Sequence, residues 1–169
     1  MAGAHALADC VERYYPGRFG FGVSDYINEL GVSRLDGLHR DSWRWALRRP
    51  VLARLGRLVI DAVPRATIAA ERRILRGFAR ATAPDLQRRA PLPVVSNHGL
   101  ITTGLAQAKQ RHGLRVPVLT FATEVCNISA HWGEPRADGV IAASEDGRRT
   151  LVRFGVPDEK ITVIGRPVR

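Results

Sequence analysis

A chain of 169 residues with a formal net charge of +10 is long enough to bury one core, and its charge predicts an anionic partner. Hydrophobic residues make up 45% of the chain and charged residues 25%, which excludes a disordered tail. No apolar run approaches the roughly 20 residues that span a bilayer, and the first residues lack the basic start of a signal peptide. Two cysteines, Cys10 and Cys126, cannot form a disulfide framework. We therefore expect one cytoplasmic domain over residues 1–169.

The positive charge is concentrated in one part of the chain. Residues 40–89 contain 13 of the 26 Lys and Arg but only 4 of the 16 Asp and Glu, which leaves +9 of the +10. Arginines close to tryptophans favour an anionic membrane surface over a merely solvated helix face. The membrane-binding residues are predicted to be Trp43, Trp45, Arg48, Arg49 and Arg57. No recognised nucleic-acid motif or stacking pattern occurs, so nucleic acid is not an expected partner.

The first half of the chain predicts mostly helices. A short helical pattern runs to about Arg13, and the run Phe19–Ile27 predicts a strand. Apolar residues at helical spacing predict a helix from Arg40 onward to Val59 and another over Ala66–Ala81. Two prolines are expected to interrupt these helices or to occupy their first turns, namely Pro50 and Pro64.

The second half alternates short β-branched runs with helical patterns. The predicted strands are Leu92–Ser96, Val116–Thr123, Gly139–Ser144 and Ile161–Gly165. Helical patterns lie between the first and second strands (Thr102–His112) and between the third and fourth (Glu145–Phe154), with Ser144 as N-cap and Gly155 after the last turn. This alternation predicts an α/β fold, with a Rossmann-like parallel sheet flanked by helices.

Polar residues follow the predicted strands. Ser96-Asn97-His98-Gly99 follows the first strand, Thr123-Glu124 the second and Ser144-Glu145 the third. Because ligands of open parallel sheets bind beyond the carboxyl ends of the strands, we expect the functional site there. The sequence contains no P-loop and no zinc-ligand spacing, so neither a metal nor a resident cofactor is expected.

Several segments together resemble one enzyme family. They are PVVSNHG (93–99), VPVLTFATE (116–124), HW (131–132) and GVIAASEDGRRTLVRFGVPDEKITVIGRPV (139–168), with Gly3-x-His5-x-x-Ala8 similar to the end of a glycine-rich loop. The chain resembles the N-terminal domain of the monogalactosyldiacylglycerol synthase and processive diacylglycerol glucosyltransferase family. The resemblance is most specific between residues 155 and 168.

This resemblance implies the N-terminal half of a GT-B architecture, which binds the lipid acceptor. A second domain of that family binds the nucleotide-sugar donor, and the resemblance implies that the chain lacks this donor domain and its own first strand. The chain alone is therefore expected not to transfer sugar. In the intact enzyme, a hexose would move from a nucleotide sugar to diacylglycerol on the inner face of the cell membrane.

The resemblance also implies roles for individual residues. His5 matches the loop histidine near acceptor and donor, and Glu124 stands where the family usually has aspartate, so these two residues are the candidate catalytic bases. The candidate acceptor-binding residues are Gly3, His98, Gly99, His131 and Trp132.

Two alternatives remain open from the sequence. The first is another enzyme of the same architecture, either a peptidoglycan-type N-acetylglucosaminyltransferase or a nucleotide-sugar epimerase. The second is a basic module without enzymatic activity that binds a membrane or nucleic acid.

Overall fold

The computed structural model of the chain describes residues 2–29 and 33–165. Within these ranges the chain forms eight α-helices, two 3-10 turns and four strands. The helices are α1 (Ala2–Tyr14), α2 (Tyr26–Glu29), α3 (Ser33–Arg48), α4 (Pro50–Ala62), α5 (Pro64–Ile74), α6 (Arg76–Arg89), α7 (Gly99–His112) and α8 (Glu145–Arg153). The strands are β1 (Val94–Ser96), β2 (Val118–Ala122), β3 (Gly139–Ala142) and β4 (Ile161–Val163), and the 3-10 turns are Ala130–Trp132 and Asp158–Lys160.

The four strands form one parallel sheet in the order β1-β2-β3-β4. Val94 pairs with Val118, Leu119 with Gly139, and Val140 with Ile161. Parallel strands need crossover connections, which α7 and α8 supply on either side of the irregular segment between β2 and β3. The predicted α/β fold with a Rossmann-like parallel sheet flanked by helices is confirmed.

Helices cover the sheet in layers. Helix α7 packs against β1 and β2, α6 packs against α7, and α8 packs against β3 and β4. One buried cluster lies between α6, α7 and β2, around Phe78, Leu86 and Leu105. A second cluster lies between β3, β4 and α8, around Trp132 and Leu151. Helix α5 contacts both α7 and the 3-10 turn Ala130–Trp132, so it connects the helical layer to the carboxyl end of the sheet.

The predicted helix signals are confirmed at several ends. The Ser144 hydroxyl accepts a hydrogen bond from the Gly147 amide at 3.0 Å, as expected of an N-cap. Gly155 has φ +98°, a left-handed conformation that favours glycine after a helix. Pro50 and Pro64 begin α4 and α5, where a missing amide proton costs no helical hydrogen bond.

Two predictions in the first half are wrong. The predicted strand Phe19–Ile27 is irregular up to residue 25 and continues as α2, because no described strand offers it a hydrogen-bonding partner. The predicted helix Ala66–Ala81 is instead two helices that meet at Leu75, where the backbone leaves helical values (ψ 11°) as the side chain enters the core. The second of these helices continues to Arg89, through Pro84.

Candidate functional site

The carboxyl ends of the strands bring two predicted pairs of residues together. His98 is the N-cap of α7, and Gly99 is its first residue. A Cβ added at Gly99 would lie 2.3 Å from the backbone oxygen of His131, so only glycine allows this close approach. His98-Gly99 therefore lies directly against His131-Trp132, although the two histidines are 33 positions apart in the sequence.

His131 is paired with a buried carboxylate. The Glu71 side chain extends from α5, and its Oε1 is in short contact with His131 Nδ1. Glu71 is 5% exposed, and the Thr103 hydroxyl of α7 donates a hydrogen bond of 3.2 Å to its Oε2. The His131 side chain keeps 37% of its surface exposed. The pair thus combines a fixed carboxylate with an imidazole that solvent reaches.

Three further charged side chains surround this pair. Asp61 of α4 accepts a hydrogen bond of 2.8 Å from the Ala130 amide and one of 3.3 Å from Arg57 Nε. Arg57 Nη2 donates to the Asn127 carbonyl and lies 3.9 Å from Glu124 Oε2. We call Glu71, His131, Asp61, Glu124 and Arg57 the His131 cluster. Helix α4 is thereby joined to the segment that follows β2.

The cluster raises the pKa of His131. The hydrogen bond to Glu71 is the largest cause, and burial opposes it. The negative charges of Glu71, Asp61 and Glu124 raise this pKa further because they favour the imidazolium. A basic imidazole beside a fixed carboxylate can accept a proton from a hydroxyl group or bind an anion.

A second buried carboxylate supports the same segment. Glu134 is 1% exposed, and its side chain accepts hydrogen bonds from Arg72 Nη2 at 2.6 Å and from Arg136 Nε at 2.9 Å. Burial opposes ionisation, but the two guanidinium groups hold the pKa of Glu134 below its usual range. Because Arg72 follows Glu71 on α5, this ion pair fixes α5 against the chain just after Trp132.

An open groove adjoins the cluster. It has a volume of about 1350 Å³ and runs between the end of α4, the segment before the 3-10 turn Ala130–Trp132 and α8. Asp61 is common to the groove and the cluster, and Ile128, Phe154 and Arg149 are among the other residues that line it. The groove provides room for an extended ligand beside the cluster.

The other predicted site residues lie as follows. His5 is exposed on α1, and no hydrogen bond or ion pair of the described residues joins it to the cluster. Gly3 also lies in α1, but its exposure is not among the described features. Trp132 is 7% exposed and belongs to the second core cluster. Residues 166–168, with which the family resemblance ends, fall outside the described residues as well.

Helix α4 presents an apolar surface that the rest of the described chain leaves uncovered. Val51, Leu55, Leu58 and Val59 recur along one side of the helix and are 53–71% exposed. We call these four residues the α4 apolar stripe. None of the residues of α4 is buried, and the opposite side carries Arg57 and Asp61 toward the cluster. The helix is therefore amphipathic with its apolar side outward, the reverse of an ordinary surface helix.

Three of the five predicted membrane-binding residues are exposed and precede this stripe closely in the sequence. Trp45 of α3 is 48% exposed, and Arg48 and Arg49 are exposed between α3 and α4. Arg57 is instead part of the His131 cluster, with a side chain 35% exposed. Trp43 lies in α3, but its side chain falls outside the described ones.

Sequence reasoning missed Glu71, the residue that holds His131. Its position was readable from the pattern, since Ile68, Glu71, Leu75 and Phe78 recur at spacings of three and four and all four are buried. A carboxylate on the apolar side of a helix is costly unless a partner satisfies it. That cost was the available signal, but the partner lies 60 residues away.

The described residues contain neither a metal-binding group nor a helix that could cross a membrane. In the described residues, no group of three or more His, Cys, Asp or Glu side chains is placed to hold a metal ion. No helix in the described part of the chain is both long enough and apolar enough to cross a membrane. No protein-family model, curated protein or solved structure significantly matches the chain.

Proposed function

We propose that this chain is the acceptor-binding domain of a glycosyltransferase that moves a hexose from a nucleotide sugar to diacylglycerol. In this proposal the domain works at the cytoplasmic face of an anionic membrane, and a donor domain supplies the nucleotide sugar. The proposal joins the family resemblance of the sequence to the surface and the site of the fold. The observation that carries it is the position of α4, which has an apolar stripe on one side and the His131 cluster on the other.

The α4 apolar stripe supports a lipid surface as the partner. Four aliphatic side chains are more than half exposed, so burial of the rest of each would contribute roughly half or more of the about 1.5–3 kcal/mol of complete burial. Exposed arginines lie close to the stripe along the chain, namely Arg48, Arg49, Arg54 and Arg65, whereas the exposed Arg44 is paired with Asp41 at 3.6 Å. Each basic residue near an anionic bilayer contributes about 1 kcal/mol. Apolar insertion and charge therefore favour the same orientation, with α4 lying in the membrane interface.

The connection from α4 to the cluster supports a lipid alcohol as the acceptor. Arg57 and Asp61 join the inner side of α4 to Glu124, to Asn127 and to the amide of Ala130, which precedes His131. A helix that rests on the bilayer would thus hold the polar cluster near the headgroup level. A diacylglycerol hydroxyl lies at that level, whereas a soluble acceptor would require no such surface.

Membrane binding is tested by flotation with vesicles. The chain should float with vesicles of 30 mol% phosphatidylglycerol in phosphatidylcholine far more than with pure phosphatidylcholine. The double variant Val51→Asp, Val59→Asp should lose at least about tenfold in partition coefficient, because two aliphatic side chains no longer enter the bilayer. A matched control is Leu92→Asp, Ile164→Asp, which changes two exposed aliphatic residues away from α4 and from the groove. Equal losses in both variants would refute docking through α4.

The acceptor class is tested by photolabelling. A photoreactive diacylglycerol in the same vesicles should label peptides that contain residues 96–99 and 124–132, as read by mass spectrometry. Photoreactive phosphatidylcholine of equal chain length should label the α4 region but not these peptides. Labelling of the two sets of peptides by both lipids to the same extent would contradict a site for the free hydroxyl.

Self-association of α4 in place of membrane binding would appear as a dimer that the Val51→Asp, Val59→Asp variant dissociates.

A further inference from the structure

The contact between Glu71 and His131 suggests that the two side chains have different roles in one proton transfer. We propose that His131 Nε2 is the atom that accepts the proton of the acceptor hydroxyl, and that Glu71 is the positioning residue that orients the imidazole for this step. The inference rests on the proposed function for the identity of the alcohol. It differs from the sequence prediction, in which His5 and Glu124 were the candidate bases.

The contact with Glu71 sets the tautomer of the neutral ring. A carboxylate can only accept a hydrogen bond, so Nδ1 must carry the proton that it donates to Glu71. The lone pair is then on Nε2, and no hydrogen bond of the described residues uses that atom. A neutral imidazole with a free Nε2 lone pair is the form that accepts a proton from a hydroxyl.

The orientation of the ring is fixed from three sides. Glu71 is held by the Thr103 hydroxyl, and α5 is held by the ion pair between Arg72 and Glu134. The backbone of His131 is in close contact with Gly99, at the start of α7. Since α5, α7 and the chain after β2 all constrain the pair, little rotation of the imidazole remains before a ligand binds. Preorganisation of this kind is what makes a proton acceptor effective.

The residues around the ring distinguish His131 from the other candidates. Glu124 faces Arg57, whose Nη2 lies 3.9 Å from Glu124 Oε2, so this carboxylate already has a cationic partner. His131 faces three carboxylates, from Glu71 on α5, Asp61 on α4 and Glu124 after β2, with Arg57 as the cation of the same cluster. These negative charges stabilise the imidazolium that proton transfer creates.

The chemical step balances without another reactant beyond the nucleotide sugar. As the hydroxyl oxygen forms its bond to the anomeric carbon, the bond from that carbon to the diphosphate oxygen breaks, and the diphosphate leaves with the electron pair. The hydroxyl proton moves to His131 Nε2. Water removes this proton after the glycolipid has left, which restores the neutral ring.

The tautomer and the basicity of His131 are measured by ¹⁵N-resolved NMR of the full chain in solution. The neutral ring should be protonated at Nδ1. In Glu71→Gln, which keeps a hydrogen-bond acceptor but removes the charge, the titration midpoint of His131 should fall, because the carboxylate that favours the imidazolium is lost. A neutral ring protonated at Nε2 in the unaltered chain would overturn the proposal without any variant.

Contact with the hydroxyl is measured with a pair of matched lipids. Nanodiscs of 30 mol% phosphatidylglycerol should contain either diacylglycerol or the same lipid with its hydroxyl capped as a methyl ether. Diacylglycerol should shift the Nε2 resonance of His131, and the capped lipid should not, because it has no proton to donate. Equal shifts, or none, in a protein that binds both nanodiscs would refute the role of His131 and leave membrane docking intact. A chain that does not bind the nanodiscs at all would instead refute the proposed function. The tautomer measurement in solution would still test the role of Glu71.

Discussion

At the scale of single residues, the buried carboxylates decide how the helical half is attached to the sheet. Glu71 and Glu134 both lie in the interior, and each reaches across more than 50 residues of sequence to its partner. An unpaired buried charge would cost several kcal/mol, so each carboxylate specifies one position of α5 relative to the chain after β2. These two residues explain why an arginine-rich helix packs at a precise place instead of remaining a solvated surface helix.

Replacement of Glu134 by Gln should destabilise the protein by about 3–5 kcal/mol at neutral pH, because two guanidinium groups lose their buried partner. The pKa of Glu134 is lowered in the folded state, so its contribution to stability is complete above the unfolded pKa of about 4.3 and is lost as the pH falls through the folded pKa. Urea unfolding at several pH values should therefore show the largest difference between the two proteins near neutral pH.

The control for this prediction is Glu159→Gln. Glu159 is exposed in the 3-10 turn Asp158–Lys160, and surface changes of this kind usually alter stability by less than about 0.5 kcal/mol. Equal unfolding free energies for Glu134→Gln and Glu159→Gln would mean that the buried ion pairs contribute nothing net.

At the scale of elements, the free-energy cost of a proline depends on its position in the helix. Pro50 and Pro64 stand at helix starts, whereas Pro84 lies inside α6 and leaves the Arg80 carbonyl without its usual amide donor. The predicted helix ends at Ala81, whereas α6 continues through Pro84 to Arg89 although proline disfavours a helix interior. Burial of Ala83, Asp85 and Leu86 on the same side of α6 outweighs that preference.

Replacement of Pro84 by Ala should therefore stabilise the protein by about 1–3 kcal/mol, because the helix regains one backbone hydrogen bond while the exposed side chain loses no packing. Thermal unfolding measures the change as a higher midpoint. Pro64→Ala is the matched control at a first helical turn, where we expect less than about 1 kcal/mol. A Pro84→Ala protein that melts at or below the midpoint of the unaltered chain would show that the proline itself is required for packing.

The second half of the chain was predictable element by element, and the first half only in part. Short β-branched runs between helical patterns have few interpretations, and all four predicted strands are present, each somewhat shorter at one or both ends. The segment Phe19–Ile27 has the composition of a strand, but a strand exists only where another offers it hydrogen bonds. Similarly, the approach of His98-Gly99 to His131-Trp132 follows from strand order, whereas the link from His131 to Glu71 depends on how a separate helix packs.

At the scale of the whole molecule, the fold divides the arginines into two groups. Arg57 pairs with Asp61, Arg72 with Glu134, and Arg88 and Arg89 share Asp85, so three carboxylates offset three of these four positive charges. Arginines near the α4 apolar stripe are exposed, and Arg48 and Arg49 lie at its beginning. The net charge of the segment, counted from the sequence, thus overstates the unpaired positive charge around the α4 apolar stripe until these ion pairs are subtracted.

Salt should separate the contribution of these arginines from that of the stripe. The variant Arg48→Glu, Arg49→Glu should bind vesicles of 30 mol% phosphatidylglycerol at least about tenfold more weakly at low ionic strength, since each basic residue contributes about 1 kcal/mol. At about 1 M salt, where the Debye length is about 3 Å, the partition coefficients of the variant and the unaltered chain should converge. Val51→Asp, Val59→Asp should remain weaker at every salt concentration, because apolar insertion is not screened. Duplex DNA at the same salt concentrations provides the comparison: a chain that binds DNA more tightly than vesicles, and loses that binding steeply with salt, would favour a nucleic-acid partner over a membrane.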